Sequence, residues 1–218
     1  NNGNSTTVTS LQTINVIDAI APTITADATG SIACDFFGYD LTQGGTTVIA
    51  GTSFEEPSSG GQYTDTGEAT EDHALSNNPG ESDVNFTSTG GEIGFSAEYI
   101  NSSGSVGLTD GDFFGTASYA GDVGAFTDGG QGYQMSDVDG TVVLTFDAVD
   151  VSMGGVNFSM DLFVKSTGWE AADFITITLQ TGDGDIEVLN TAGEDIDNLG
   201  LEGQWNGLSA DLSEYEIA

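Results

Sequence analysis

The stretch VNFSMDLFVK, residues 156–165, places Val156, Phe158, Met160, Leu162 and Val164 on one side of an extended chain. A period of two is the mark of a strand with one buried face. The next apolar stretch repeats the signal: in residues 174–180, Phe174, Thr176 and Thr178 alternate with Ile175, Ile177 and Leu179. Gly182-Asp183-Gly184-Asp185 then supplies a turn, and residues 185–190 read as the returning strand. Working outward, further strands are expected at 31–41, 46–54, 84–88, 93–100, 113–120, 132–136, 141–146 and 205–212. Turns such as Asp110-Gly111-Asp112 and Asp139-Gly140 separate them. No segment carries the apolar spacing of a three-turn amphipathic helix. With 32 Gly and 3 Pro among 218 residues, the composition is that of short strands joined by glycine turns, so the expected class is all-β. No fixed period recurs, which argues against a solenoid or a calcium-binding repeat array.

Charge restricts the partners. Asp and Glu number 35, against one basic residue, Lys165, giving a formal net charge of −34. Such a chain has nothing with which to neutralise phosphates, so nucleic acid and anionic membrane surfaces are excluded as partners. Self-repulsion is tolerable where salt shortens the Debye length to ~3–8 Å. It is also tolerable where bound Ca²⁺ gathers carboxylate oxygens. The density of aromatic and β-branched residues argues against disorder. Cys34 is the single cysteine and cannot form an internal disulfide; it is read as a small buried hydrophobe, with an intermolecular bridge as the alternative. No apolar run approaches the ~20 residues of a membrane span. The chain begins at Asn1 and carries no basic segment followed by an apolar one. It is therefore expected to be a processed, exported protein acting outside the cell. The four Asn-x-Ser/Thr sequons are those expected by chance in so Asn-, Ser- and Thr-rich a chain.

Residues 1–30 differ from the remainder. Residues 6–17 are rich in Thr, Val and Ile and contain no Gly, and residues 19–22 read as a linker. The expected organisation is an N-terminal strand extension over 1–30 and a β-sandwich over 31–218. The stretch INVIDAIAPTIT resembles the junctions between tandem immunoglobulin-like repeats of bacterial surface proteins. SFEEP, GLTDGDFFG, GYQMSDVDGTVVLTFDAVDVS, STGWEAADFITITL and LGLEGQWNGLSADLSEY, between residues 53 and 215, resemble a second group. These are the calcium-binding jelly-roll modules, similar in plan to carbohydrate-binding modules, of large secreted and surface proteins of marine bacteria. The resemblance implies a jelly-roll β-sandwich, in many cases with a structural Ca²⁺. In that pattern one or two closing strands follow LSADLS, whereas this chain stops at Ala218.

Short acidic segments are the candidate metal ligands: Glu55 and Glu56, Asp110 and Asp112, Asp137 and Asp139, with Asp183-Gly184-Asp185 as a further pair. Turns of this kind offer hard carboxylate and carbonyl oxygens to Ca²⁺. The competing reading is a set of solvated acidic loops. One His and one Cys exclude a zinc site. His73 is read as a solvated loop residue, and no catalytic residue is nominated. Paired carboxylates hydrolyse glycosides in other proteins, but a chain with two Trp and almost no cations is poorly equipped to grip a sugar. Trp169, Trp205, Tyr63, Tyr99, Tyr119, Tyr133 and Tyr215 are candidates for stacking on sugar rings, with core packing as the stronger alternative. Lys165 is read as a salt-bridged residue at a strand end, with an isopeptide bond to Asn as the sharper alternative.

Two functions follow. The first is a structural subunit of a Ca-stabilised surface filament or matrix, polymerising head to tail with copies of itself. In that reading the spare strand fills a neighbour's gap, and Val8, Leu11, Ile14, Val16 and Ile17 form the subunit interface. The second is an adhesive module that binds a neutral polysaccharide and is cut from a larger secreted protein.

Overall fold

The computed structural model describes residues 10–15, 48–102, 107–108, 113–121, 123–136, 138–151, 155–165 and 171–213. Among these residues ten strands follow in chain order: β1 Ser10–Asn15, β2 His73–Ala74, β3 Phe95–Asn101, β4 Phe113–Ala117, β5 Gly132–Ser136, β6 Gly140–Phe146, β7 Asn157–Phe163, β8 Ile175–Thr181, β9 Gly184–Asn190 and β10 Trp205–Asp211. A 3-10 turn spans Ile196–Asn198. The all-β expectation holds.

The period-two segments behave as their alternation demands. On β8, Ile175, Ile177 and Leu179 are buried while Thr176 and Thr178 are partly exposed. The two-residue connection Gly182-Asp183 folds β9 back onto β8, and the Thr181 hydroxyl donates to the Gly184 carbonyl at 2.5 Å. On β7, Phe158, Met160 and Leu162 turn inward and are half-buried, and Val164 beyond them is fully buried.

The largest sheet has the order β2-β3-β6-β1-β8-β9. Two small antiparallel sheets, β4-β5 and β7-β10, complete the layers. Phe114 of β4 and Met135 of β5 pack with Phe95, Ala97, Tyr99, Val142, Leu144 and Phe146 of β3 and β6, forming the first core. Phe158, Met160 and Leu162 of β7 and Leu208 of β10 pack on Ile175, Ile177, Val188 and Leu189 of β8 and β9, forming the second. Each half of the large sheet thus has its own facing sheet.

Strand β1 is the seam between the halves. It runs parallel to β6 over Ser10–Ile14, where Leu11 aligns with Val143 and Ile14 with Phe146. It also runs parallel to β8 over Ser10–Asn15, where Leu11 aligns with Thr176 and Ile14 with Leu179. Both of its edges are therefore paired, while the other ladders of the large sheet are antiparallel. This corrects the expectation that residues 6–17 lie outside their own domain. The described part, carrying Leu11 and Ile14, is a strand of the chain's own sheet, so a boundary at residue 30 does not separate it from the sandwich. The physical reason is that without β1 the strands β6 and β8 would each present an unpaired edge, and an edge left open is a cost that a strand between them relieves. Val8, Val16 and Ile17 lie outside the described residues.

Three other expectations need correction. Residues 48–54 form no strand: Phe54 sits at φ 62°, in the left-handed region, which interrupts any ladder. Of 84–88, one bridge survives, Phe86 to Phe95. The two-residue β2 arises within what reads as a polar loop. Within β4, Gly115 takes φ 100°, where a Cβ would lie 2.7 Å from the Asp83 carbonyl oxygen. Only glycine lets the 82–83 backbone come close enough for Thr116 N–H to reach Asp83 O at 2.9 Å.

Candidate functional site

The nominated acidic segment Glu55-Glu56 lies where the chain crosses the rim of the first core, and a third carboxylate organises it. Glu92 is 8% exposed. Its Oε1 accepts from the Ser53 backbone N–H at 2.9 Å and from the Ser53 hydroxyl at 2.5 Å. Its Oε2 accepts from the Thr52 hydroxyl at 2.9 Å and the Glu56 N–H at 3.3 Å. Burial pushes the pKa of Glu92 up. The donors on Ser53, Glu55 and Thr52 outweigh burial and hold it below the ordinary 4.5.

Glu55 and Glu56 diverge from each other. Glu55 Oε1 accepts from the N–H groups of Gly130 and Gln131 at 2.6 and 2.9 Å, across 75 residues of chain. Glu56 Oε2 accepts from Glu92 N–H at 3.1 Å. Between them the Gln131 side-chain amide donates to the Phe54 carbonyl. Phe54 itself lies against Phe95 and Tyr133, with ring centroids 5.6 and 5.8 Å away. A left-handed, non-glycine backbone costs about 1–3 kcal/mol and persists only when its surroundings fix it. Here they do, through the Glu92 clasp on one side and the aromatic core on the other.

Each of these carboxylates thus accepts from at least one backbone N–H. Among the described residues, no three of His, Cys, Asp and Glu converge as metal ligands would. Asp139 is bridged to Gly107, and its carbonyl accepts the Tyr99 hydroxyl at 2.6 Å, which ties it to the core. Asp110, Asp112 and Asp137 lie outside the described residues.

The aromatic candidates separate clearly. Tyr63 and Tyr99 are fully buried. Tyr133 meets Phe95 and Phe114 edge to face at 5.4 Å and donates its hydroxyl to Val84 O. The Trp205 indole N–H lies within reach of the Val123 and Ala125 carbonyls, between Phe126 and Phe163. Tyr119 alone of the described candidates stands in solvent, 59% exposed. Trp169 and Tyr215 lie outside the described residues. An open cleft of about 480 Å³ is lined by Ser58, Asn77, Asn78, Glu81 and Asp83 among others, and contains no aromatic ring. Its carboxylates and amides bond inward: Asp83 to Ser58 N–H, Glu81 to Thr64 N–H, Asn77 to the 84–85 backbone.

No protein-family model, curated protein or solved structure matches this chain.

Sequence reasoning missed two residues. Glu92 stands in GGEIG at 90–94, where the only signal is one acid flanked by glycines. His73 is no solvated loop residue: its Nε2 lies 2.7 Å from Oδ2 of Asp65, which is 6% exposed. Nothing local announces that pair, because Asp65 is one acid among many.

Proposed function

We propose that this chain is a non-enzymatic extracellular structural protein. It serves as the subunit of a Ca²⁺-stabilised surface filament or matrix in which subunits exchange their N-terminal strands. The observation that supports this reading is the position of β1. One short strand at the start of the chain joins two half-sheets that each carry a separate core, and it is paired on both edges. Withdrawn, it leaves a slot whose two walls are β6 and β8. A second copy's β1 fits that slot with the same hydrogen bonds, as in domain swapping. The closed and exchanged forms then differ in the connecting segment and in concentration, not in the strand's contacts. Passing each strand onward rather than back generates an open filament. An aromatic platform for sugar would favour the adhesive-module alternative, and the described candidates are mostly engaged in packing.

Charge adds a condition. Subunits of net charge −34 repel unless cations intervene. Calcium remains the proposed counter-ion, with Glu55, Glu56, Asp139 and the acids outside the described residues as its candidate ligands.

The test is deletion of residues 1–20 followed by sedimentation and electron microscopy. The full chain is expected to polymerise as its concentration rises, and the deleted chain to stay monomeric and bind a synthetic peptide of residues 6–17 in one-to-one ratio. Filaments from the deleted chain would overturn the reading, as would a full chain that stays monomeric at every concentration. For the metal, the expected outcome is a lower Tm in chelator at constant ionic strength. Free Ca²⁺ at 100 times Kd stabilises by about 2.7 kcal/mol per site. An unchanged Tm removes calcium from the proposal.

A further inference from the structure

We infer that His73, in its doubly protonated form, is a pH-operated latch that holds the segment 63–75 over the first core, and that loss of its proton releases that segment. The geometry points to this because both ring nitrogens face groups that only accept. Nδ1 lies 2.9 Å from the Glu71 carbonyl oxygen, and Nε2 lies 2.7 Å from Asp65 Oδ2. A neutral imidazole has one N–H and cannot satisfy both. The imidazolium satisfies both and supplies the positive charge that a buried carboxylate requires.

Asp65 is fixed independently of the histidine. Its N–H donates to Leu108 O at 2.7 Å, and its Oδ1 accepts from Gly67 N–H at 2.9 Å. Gly67 lies so close that a Cβ there would fall 2.1 Å from His73 Nε2, so the contact demands glycine at 67. On its other side the imidazole rests against Tyr99, centroid to centroid 5.6 Å, which is also its partner across the β2–β3 ladder. The titratable groups facing it are Asp65 from the preceding segment, Asp72 on its own turn and Tyr99 from β3. Asp72 is itself anchored, its Oδ1 accepting from Asn101 N–H at 2.9 Å.

The segment so held carries Tyr63 and Leu75 of the first core. Tyr63 is fully buried against Phe114, with centroids 5.8 Å apart, and donates its hydroxyl to Ser76 O at 2.9 Å. Burial and the charge of Asp65 push its phenol up to about 12, so Tyr63 stays neutral throughout the range in which His73 titrates.

The sign follows from the surroundings. Burial pushes the pKa of His73 down. The Glu71 carbonyl, the Asp65 carboxylate and the charge of Asp72 outweigh it and raise it above the ordinary 6.5. A raised pKa in the folded state means that the latch contributes fully below 6.5 and is lost as pH rises through the folded value. In the neutral form a ring lone pair faces either the carbonyl or the carboxylate, and Asp65 loses its counter-charge.

Because the chain has one histidine, its imidazole signals in NMR spectra of the full chain are unambiguous. The expected titration midpoint lies above 6.5, and Asp65→Asn lowers it. In parallel, limited proteolysis between residues 63 and 75 compares the native chain with His73→Gln at each pH. Slower cleavage of the native chain at pH 6 and loss of that difference by pH 9 support the latch. A native midpoint at or below 6.5, or equal cleavage rates at pH 6, overturns it. The readout concerns one segment of the first core and is independent of whether β1 exchanges.

Discussion

The two cores are built to different standards. The first gathers twelve buried residues and is dominated by rings: Phe54, Phe86, Phe95, Phe114, Tyr133 and Phe146 form a chain of aromatic contacts at 5.4–6.3 Å. Its rim is closed by buried, fully bonded carboxylates, Glu92 and Asp65. The second is aliphatic. Among the described residues, Val164, Ile175, Ile177 and Ile196 are buried in one cluster, and Val151, Leu179 and Leu212 in its neighbour. Phe158, Met160, Leu162, Val188 and Leu208 around them remain half-buried. Aromatic side chains bury more area per residue and lock by edge-to-face contact, so the first core seals itself. Among the described residues, the first half is the more fully buried of the two.

Three substitutions break or sharpen that contrast. Phe95 touches four rings in the first core, and Phe95→Ala is expected to cost about 3–5 kcal/mol by chemical denaturation, the largest of the three effects. Next comes the rim. Glu92→Gln removes the charge from a carboxylate holding four donors, a loss of about 2 kcal/mol at neutral pH. Since the pKa of Glu92 is depressed, this contribution is complete above 4.5 and fades as pH falls through the lower folded value. The native-minus-variant difference in Tm should therefore shrink on acidification, and a constant difference from pH 7 to pH 3 would count against the clasp. Smallest is Phe158→Ala on the half-covered second core, expected to cost about 1 kcal/mol. Equal losses for Phe95→Ala and Phe158→Ala would show that the two cores are sealed alike.

What the chain disclosed before folding follows the range of each interaction. Strands β7, β8 and β9 were legible because alternation is a property of consecutive residues, and here Phe158, Met160 and Leu162 or Ile175, Ile177 and Leu179 carry it without interruption. The clasp was not, because Glu92 reaches Thr52 and Ser53 across about 40 residues and no local pattern records the choice. Residues 46–54 misled for the same reason: their β-branched run reads as a strand, yet in the described part Thr52 and Ser53 donate to one distant carboxylate. For β1 the strand was readable and its address was not. Ser10, Gln12, Thr13 and Asn15 dilute its apolar pattern, so nothing local chooses between its own sheet and a neighbour's.

The seam also sets an order of events. A chain made from its N-terminus produces β1 first, but the partners of β1 begin at Gly140 and Ile175. While the first core can close once β6 exists, β1 has only one wall until β8 is synthesised, and contacts so remote in sequence form late. Strand β1 is therefore made well before it can be seated on both sides, and until β8 follows it keeps an open edge within reach of whatever lies nearby.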